Sequence, residues 1–235
     1  MKKDIGQTIA KNQIRYDLEL IASLVAPNSN VLDIGCGDGE LLEFLEKNKK
    51  VKARGIELSG LQVSKALMRG LSVIQGNAEE DLKSYPDKSF DYAILSHTIQ
   101  ATQRPDMIIK EMLRIANYAI VSLPNFANIK NRLHLGLKGT MPINKTIPFE
   151  WYETPNIHFC SIKDFQNLCK KQNFTIKKEI FLTNNNVIKN KFVVNLLAEY
   201  AIFLLVKNEF STIKEVVLDK KTESFFANKS DFQPV

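Results

Sequence analysis

The chain has 235 residues, of which 44% are hydrophobic, and a formal net charge of +6; that is enough apolar material for one well-packed α/β domain and too little to argue for two. Its three cysteines, Cys36, Cys160 and Cys169, show no C-x-x-C spacing, which argues against a disulfide framework and a zinc site and for a reducing cytoplasm. The positive charge is lysine dispersed among acids and asparagines rather than a stripe with aromatic platforms, so no nucleic-acid partner is expected, and the oiliest stretch, residues 192–206, is broken by Asn195 and Glu199 and is shorter than the roughly 20 residues a membrane span needs.

From the N-terminus, a polar start carries no apolar run, so no secretory leader is expected. Ile14, Leu18, Ile21, Ala22 and Val25 then recur at helical spacing, and Pro27, Asn28 and Ser29 stop that helix. Val31, Leu32, Asp33 and Ile34 read as a strand ending in an acid, followed by glycines at alternate positions, Gly35, Gly37 and Gly39. Residues without a β-carbon let the backbone turn sharply and lie close against a ligand. The third glycine falls one residue too early for the dinucleotide fingerprint G-x-G-x-x-G, where Glu40 stands instead.

The pattern then alternates. A helix over about 40–47 leads to a strand over 53–57 ending in Glu57, a helix near 61–68, and a strand over 72–75 running into Gly76, Asn77 and Ala78. A fourth strand spans 90–95, a helix about 106–115, and a fifth strand 118–123. Strands separated by single helices imply right-handed parallel crossovers, hence an open sheet covered by helices on both faces with its ligand site at the carboxyl ends of the strands.

Between Pro124 and Phe159 no period persists, and the stretch carries four prolines, the only tryptophan and two of the three histidines. An irregular segment of this length is usually functional. Ser161 with Asp164 has nearly the form of a capping box before a helix carrying Phe165, Leu168 and Cys169, and strands near 175–182 and 198–206 complete a seven-stranded sheet. The expected organisation is a single α/β domain over 1–207, with an irregular insert at 124–160 and a C-terminal tail at 208–235.

The chemistry implied by these elements is nucleoside recognition. Glu57 ends the second strand where a carboxylate accepts both hydroxyls of an adenosine ribose, and Asn77 with the Ala78 N–H stands where an amide and a backbone donor read an adenine edge. Asn77 keeps an acceptor but lacks the charge of the Asp more usual there. The D-x-G-x-G-x-G run from Asp33 to Gly39 resembles the S-adenosylmethionine loop of class I methyltransferases, whose ligand has no pyrophosphate and needs close backbone approach to its methionine half.

Several further segments are similar to one family within that superfamily: Arg15-Tyr16-Asp17-Leu18, the glycine loop, Gly70-Leu71-Ser72-Val73-Ile74-Gln75, Gln100-Ala101, Pro124-Asn125-Phe126, Met141-Pro142, and above all the run from Pro148 to Cys160 containing Trp151, Tyr152, Thr154, Pro155, Asn156, Ile157 and His158. These resemble the methionine biosynthesis protein MetW family over about residues 14–207. The resemblance implies a Rossmann-like class I methyltransferase fold, binding of S-adenosylmethionine or S-adenosylhomocysteine, and a homoserine O-acyltransferase as protein partner whose activity is supported. It places Arg15, Asp33, Gly35, Cys36, Gly37, Glu57, Leu58, Asn77, Ala78 and Ser96 at the cofactor. It also carries departures, since His97 stands where related sequences have Gln, and Ala127-Asn128-Ile129 follow Phe126 where a His-Trp pair is usual.

The alternative reading is a methyltransferase acting on a small molecule, for which His97, Tyr152 and His158 are the candidate catalytic groups. Ser96-His97-Thr98-Ile99 after the fourth strand lacks the Asn-Pro-Pro-aromatic signature of transfer to an amide or ring nitrogen. The aromatic, proline-stiffened segment suits a protein contact, a substrate lid, or packing of Phe149 and Trp151 on the sheet edge. No metal is expected.

Overall fold

The computed structural model describes residues 14–144, 146–184 and 186–207. In chain order the elements are α1 (Tyr16–Ser23), β1 (Asn30–Ile34), α2 (Glu40–Lys49), β2 (Lys52–Glu57), α3 (Gly60–Met68), β3 (Val73–Gln75), α4 (Ala78–Asp81), β4 (Phe90–Ser96), α5 (Pro105–Ile115), β5 (Ala116–Pro124), α6 (Ile129–Lys138), α7 (Ile162–Lys171), β6 (Phe174–Thr183), β7 (Asn186–Val187), α8 (Val194–Leu197) and β8 (Tyr200–Lys207). The expected tail at 208–235 lies outside the described residues.

The strands form one sheet in the order β3-β2-β1-β4-β5-β8-β6-β7. The first five pair in parallel, with Asp33 opposite both Gly55 and Ile94, while β8 runs antiparallel between β5 and β6. Burial follows the pleat. Leu32 and Ile34 of β1 pack with Ile109, Met112, Phe165 and Phe203 under α5 and α7, whereas Val31 packs with Leu20, Ile21, Leu42 and Leu45 under α1 and α2. Each face thus has its own apolar core, which is why these strands read as near-continuous hydrophobic runs.

The chain leaves β1 towards β2 and β3 on one side and returns to β4 and β5 on the other, so strand order reverses between β1 and β4. The loops that follow those two strands diverge there and leave a crevice, the general location of ligand sites in open α/β sheets. Here they are the glycine loop and the turn at His97.

Two expectations need correction. Among the described residues the sheet has eight strands rather than seven, the addition being the two-residue β7 that folds back on β6. The stretch 124–160 is not irregular throughout, because it contains the ten-residue α6. That helix gave no apolar period because Leu133, Leu135 and Leu137 are exposed and its buried residue is Asn131. It is fixed by polar contacts instead. Asn128 caps it by accepting the Lys130 N–H, and Gly139 ends it at a φ of 65°.

The asparagines also tie the insert to the sheet. Buried Asn125 donates to the carbonyls of Asn195 and Ala198 at 3.1 and 2.9 Å and accepts from the N–H groups of Ala127 and Ile162, while Asn128 donates to Leu197 and Ala198. The expected cap at Ser161 is a full capping box, with Ser161 and Asp164 each satisfying the other's backbone N–H.

Candidate functional site

The turn after β1 begins with Gly35 and Cys36 donating to the Ile56 carbonyl at 2.8 and 3.3 Å, which extends the β1–β2 ladder one step past the strand. The chain then turns away through Gly35 at φ 69° and Gly37 at φ 56°, backbone angles that side chains resist. The two glycines have different surroundings. A β-carbon on Gly35 would meet the Thr98 side chain at 2.7 Å, whereas one on Gly37 would project into open space. Gly37 is therefore the place where the loop offers a bare backbone to an approaching molecule.

Glu57 stands beside it at the end of β2. One carboxylate oxygen accepts the Gly37 N–H at 2.9 Å and the other the Ser59 N–H at 2.9 Å, so the acid bridges the two loops. Each oxygen retains a further lone pair. Asp33 is 2% exposed, and its Oδ1 has no hydrogen-bond partner among the described residues. Burial, then the nearby Glu57 charge, push the Asp33 carboxyl up to about 7.

Arg15, Asp33, Gly35, Cys36, Gly37, Ser96 and His97 line one groove of about 170 Å³ at the switch between β1 and β4. Ser96 is held by a 3.2 Å contact between its hydroxyl and that of Ser122. Burial pushes the Cys36 thiol well above its ordinary range, which leaves it a packing group rather than a nucleophile. Leu58 follows Glu57 and is largely exposed. Asn77 and Ala78 follow β3, whose end pairs with Glu57 and whose next residue, Gly76, donates its N–H to the Glu57 carbonyl at 3.0 Å; they line a cavity of about 330 Å³ with Gln103, Arg104 and Met107. The Asn77 side-chain Oδ1 accepts the Glu79 N–H at 3.1 Å and so caps α4.

Of the three catalytic candidates, the structure brings only His97 to the groove. Its Nε2 lies 2.8 Å from Asp17 Oδ2, and its ring meets that of Tyr200 edge-on at 5.0 Å. Its backbone takes a φ of 53°, held by donation of the N–H to the Ser122 hydroxyl and carbonyl. His158 instead donates its backbone N–H to the Gln100 carbonyl at 3.0 Å, and its ring sits 3.3 Å from the Gln103 carbonyl, so it ties down the insert. Tyr152 is exposed and packs edge-on against Trp151 at 5.6 Å.

Asp17 is the site residue that sequence reasoning missed. It lies in the first turn of α1, gripped by Arg15 through Nε and Nη2 at 3.2 and 2.7 Å. Burial pushes its carboxyl up, but the hydrogen bonds from His97 and Arg15 more than offset this and hold it well below the usual carboxylate range. The signal available was an acid two residues after Arg15, which has no meaning until the fold brings β4 alongside. Among the described residues, no three His, Cys, Asp or Glu side chains gather as a metal-ligand set, and no helix is long and apolar enough to cross a membrane.

An open sheet with reversed strand order, a glycine turn after β1 and an acid ending β2 define the class I methyltransferase fold. The solved structures agree. An S-adenosylmethionine dependent methyltransferase from Mesorhizobium loti superposes with a TM-score of 0.61 at 12% identity, covering 81% of this chain and 97% of that one. A SAM-dependent methyltransferase from Thermotoga maritima, described as a possible histamine N-methyltransferase, gives 0.56 at 22% identity, covering 82% and 88%.

Within that class, residues 15–205 match the family model described as methionine biosynthesis protein MetW. The chain belongs to that family. A relative in Rhodopirellula baltica, named bifunctional methionine biosynthesis protein MetXA/MetW, is 33% identical over 177 residues, 72% of this chain. The chain spans only 28% of that relative's length.

Proposed function

We propose that this protein binds S-adenosylmethionine or S-adenosylhomocysteine across the glycine loop and serves methionine biosynthesis beside a homoserine O-acyltransferase whose activity it supports. The observation that carries the nucleoside reading is the pairing of Gly37 with Glu57. A backbone without a β-carbon faces open space and is flanked by a carboxylate with lone pairs to spare. Unpartnered Asp33 Oδ1, behind the same turn, adds an acceptor suited to an amino group.

The residues present fit the group. Gly35, Cys36 and Gly37 would take its methionine half against their backbone, Asp33 and Arg15 its charged amino-acid end, and Glu57 the ribose hydroxyls, with Leu58 covering the base. Asn77 and Ala78 would read the adenine edge, Asn77 with whatever acceptor capacity its capping bond leaves. When bound, S-adenosylmethionine supplies an electrophilic methyl group on a sulfonium.

Support for the partner comes from the Rhodopirellula relative, whose name joins MetXA and MetW in one bifunctional protein. Support for a cytoplasmic setting comes from the cysteines, all three of which are free. A nucleoside tunes an assembly only through different affinities for its free and assembled forms. Calorimetry of the association with the organism's own homoserine O-acyltransferase, with and without S-adenosylhomocysteine, measures that difference. Association that changes with ligand is expected; no association at all would remove the partner.

The alternative is a small-molecule methyltransferase, favoured by one observation: a second cavity of about 570 Å³ adjoins the groove at Arg15 and His97. Formation of S-adenosylhomocysteine from S-adenosylmethionine in the presence of small metabolites would favour this reading, and tight nucleoside binding without turnover would count against it.

A further inference from the structure

Helix α6 presents its apolar side outward. At 3.6 residues per turn, Leu133 and Leu137 fall on one stripe and Asn131 on the opposite side. The asparagine is buried, whereas the leucines are 53% and 83% exposed. A helix of this kind ordinarily turns its apolar stripe to the core, so leucines left in water point to a cover supplied from outside the fold.

The second half of the insert does the same at a turn. The Glu153 and Thr154 N–H groups both donate to the Glu150 carbonyl at 3.1 Å. This closed turn carries Trp151 and Tyr152, 71% and 66% exposed, with their rings edge-on at 5.6 Å. Tryptophan and tyrosine dominate the energetics of protein interfaces, because a large ring buries much area at little cost in side-chain freedom.

Both halves are firmly fastened. Asn128 and Asn131 donate to the Leu197 and Phe126 carbonyls at 2.9 and 3.0 Å, and Asn131 accepts the Asn144 amide at 2.7 Å. Ile157 and His158 donate their N–H groups to the Gln100 carbonyl at 2.8 and 3.0 Å. The exposed side chains therefore stand on a preorganised frame, which lowers the cost of association.

A second group of exposed apolar residues, Leu61 and Met68 on α3 and Ile74 on β3, contains no aromatic ring. The charges of the insert are of both signs, Arg132 and Lys138 on α6 and Glu150 and Glu153 in the turn, and all four residues are exposed. Such a mixture suits the polar rim of a protein interface and gives no cationic field for an anionic membrane. In the Rhodopirellula relative, whose name joins MetXA and MetW, this chain spans only 28% of the length, which leaves a large second part for a MetW-like face to meet.

We infer that the outward stripe of α6 and the Trp151–Tyr152 turn form the surface on which the homoserine O-acyltransferase docks, the two rings entering an apolar recess of that enzyme. This rests on the partner reading above.

Trp151 is the only tryptophan in the chain, so the intrinsic fluorescence of the full chain reports on this surface. For the chain alone, acrylamide should quench the emission as freely as that of a solvent-exposed indole, at every protein concentration. Shielding at all concentrations would mean that another segment of the chain covers the face, and shielding that grows with concentration that a second copy does; either overturns the proposal. Binding of the chain to vesicles of anionic phospholipid that Trp151→Ala weakens at least tenfold would assign the face to a membrane and overturn it too. Calorimetric titration of the full chain with the organism's own homoserine O-acyltransferase reads docking itself. Trp151→Ala and Leu137→Lys should each weaken association at least tenfold, while Met68→Lys on α3 should stay within threefold of the unsubstituted chain and all three should keep its unfolding midpoint. Association kept within threefold by either insert variant, or lost equally in Met68→Lys, would overturn the docking surface and leave the partner in place. No association of the unsubstituted chain would instead remove the partner reading, and the docking surface with it.

Discussion

Glu57 and Gly37, twenty residues apart, meet through a 2.9 Å hydrogen bond in which the last side chain of β2 fixes the backbone of the turn after β1. The two parts of the sequence that read separately as nucleoside elements are thus one piece of structure: the acid holds the loop, and under the proposed function its remaining lone pairs take the ligand.

Glu57→Ala removes both. A carboxylate accepting charge-assisted hydrogen bonds from ribose hydroxyls contributes about 1.5–3 kcal/mol, so affinity for S-adenosylhomocysteine should fall at least about tenfold. Isothermal titration measures it, and unchanged affinity would place the ribose elsewhere.

The two glycines separate folding from binding. In Gly35→Ala the added β-carbon meets Thr98 and must also sit at φ 69°, so denaturant unfolding should show a stability loss larger than the roughly 1–2 kcal/mol that a left-handed alanine costs alone. The obstacle to a side chain there is Thr98 and not only a ligand. Gly37→Ala meets nothing among the described residues, so its stability loss should stay within that range while ligand affinity falls further. Equal effects of the two on binding relative to stability would contradict the assignment of Gly37 as the open face.

Asp33 makes stability depend on pH in an identifiable direction. With its carboxyl raised to about 7 in the folded chain and near the ordinary ~3.9 when unfolded, the folded state binds the extra proton between those values. Stability contributed by this group is therefore complete below about pH 4, declines as pH rises towards 7, and is flat beyond. Asp33→Asn should flatten that decline and melt at a higher temperature than the unsubstituted chain at pH 8 without ligand. Parallel melting curves against pH for the two proteins would refute the assignment.

Asn125 tests how the insert is fastened. It is 1% exposed and makes four side-chain contacts with backbone groups of the insert, α7 and the approach to β8. Asn125→Ala strands buried carbonyls and N–H groups at about 1–3 kcal/mol each, so denaturant unfolding should show a loss of at least about 2 kcal/mol. A loss below 1 kcal/mol would show that water or backbone shifts replace these bonds.

What the sequence made legible follows from the physics of each element. β1, β4 and β5 are buried on both faces and announce themselves as apolar runs, and the alternation of strand and helix fixed the parallel half of the sheet. α6 escaped because it is anchored by Asn128 and Asn131 while its leucines face outwards, a pattern no hydrophobic period reports. The turn after β1 was legible at Gly35 and Gly37, where a positive φ favours glycine. Asp17 was not, since its partnership with His97 spans eighty residues and exists only once α1 lies against the end of β4. Asn77 shows a third case: its residue type fits adenine recognition, yet locally it is also an ordinary helix cap.

The central claim is that the space beside Gly37 and Glu57 receives an adenosine with an amino-acid arm. Titration of the purified full chain with S-adenosylhomocysteine, repeated with Gly37→Ala, tests it most directly: saturable one-to-one binding that the substitution weakens at least tenfold is the predicted result. Absence of binding, or equal binding by both proteins, would contradict it.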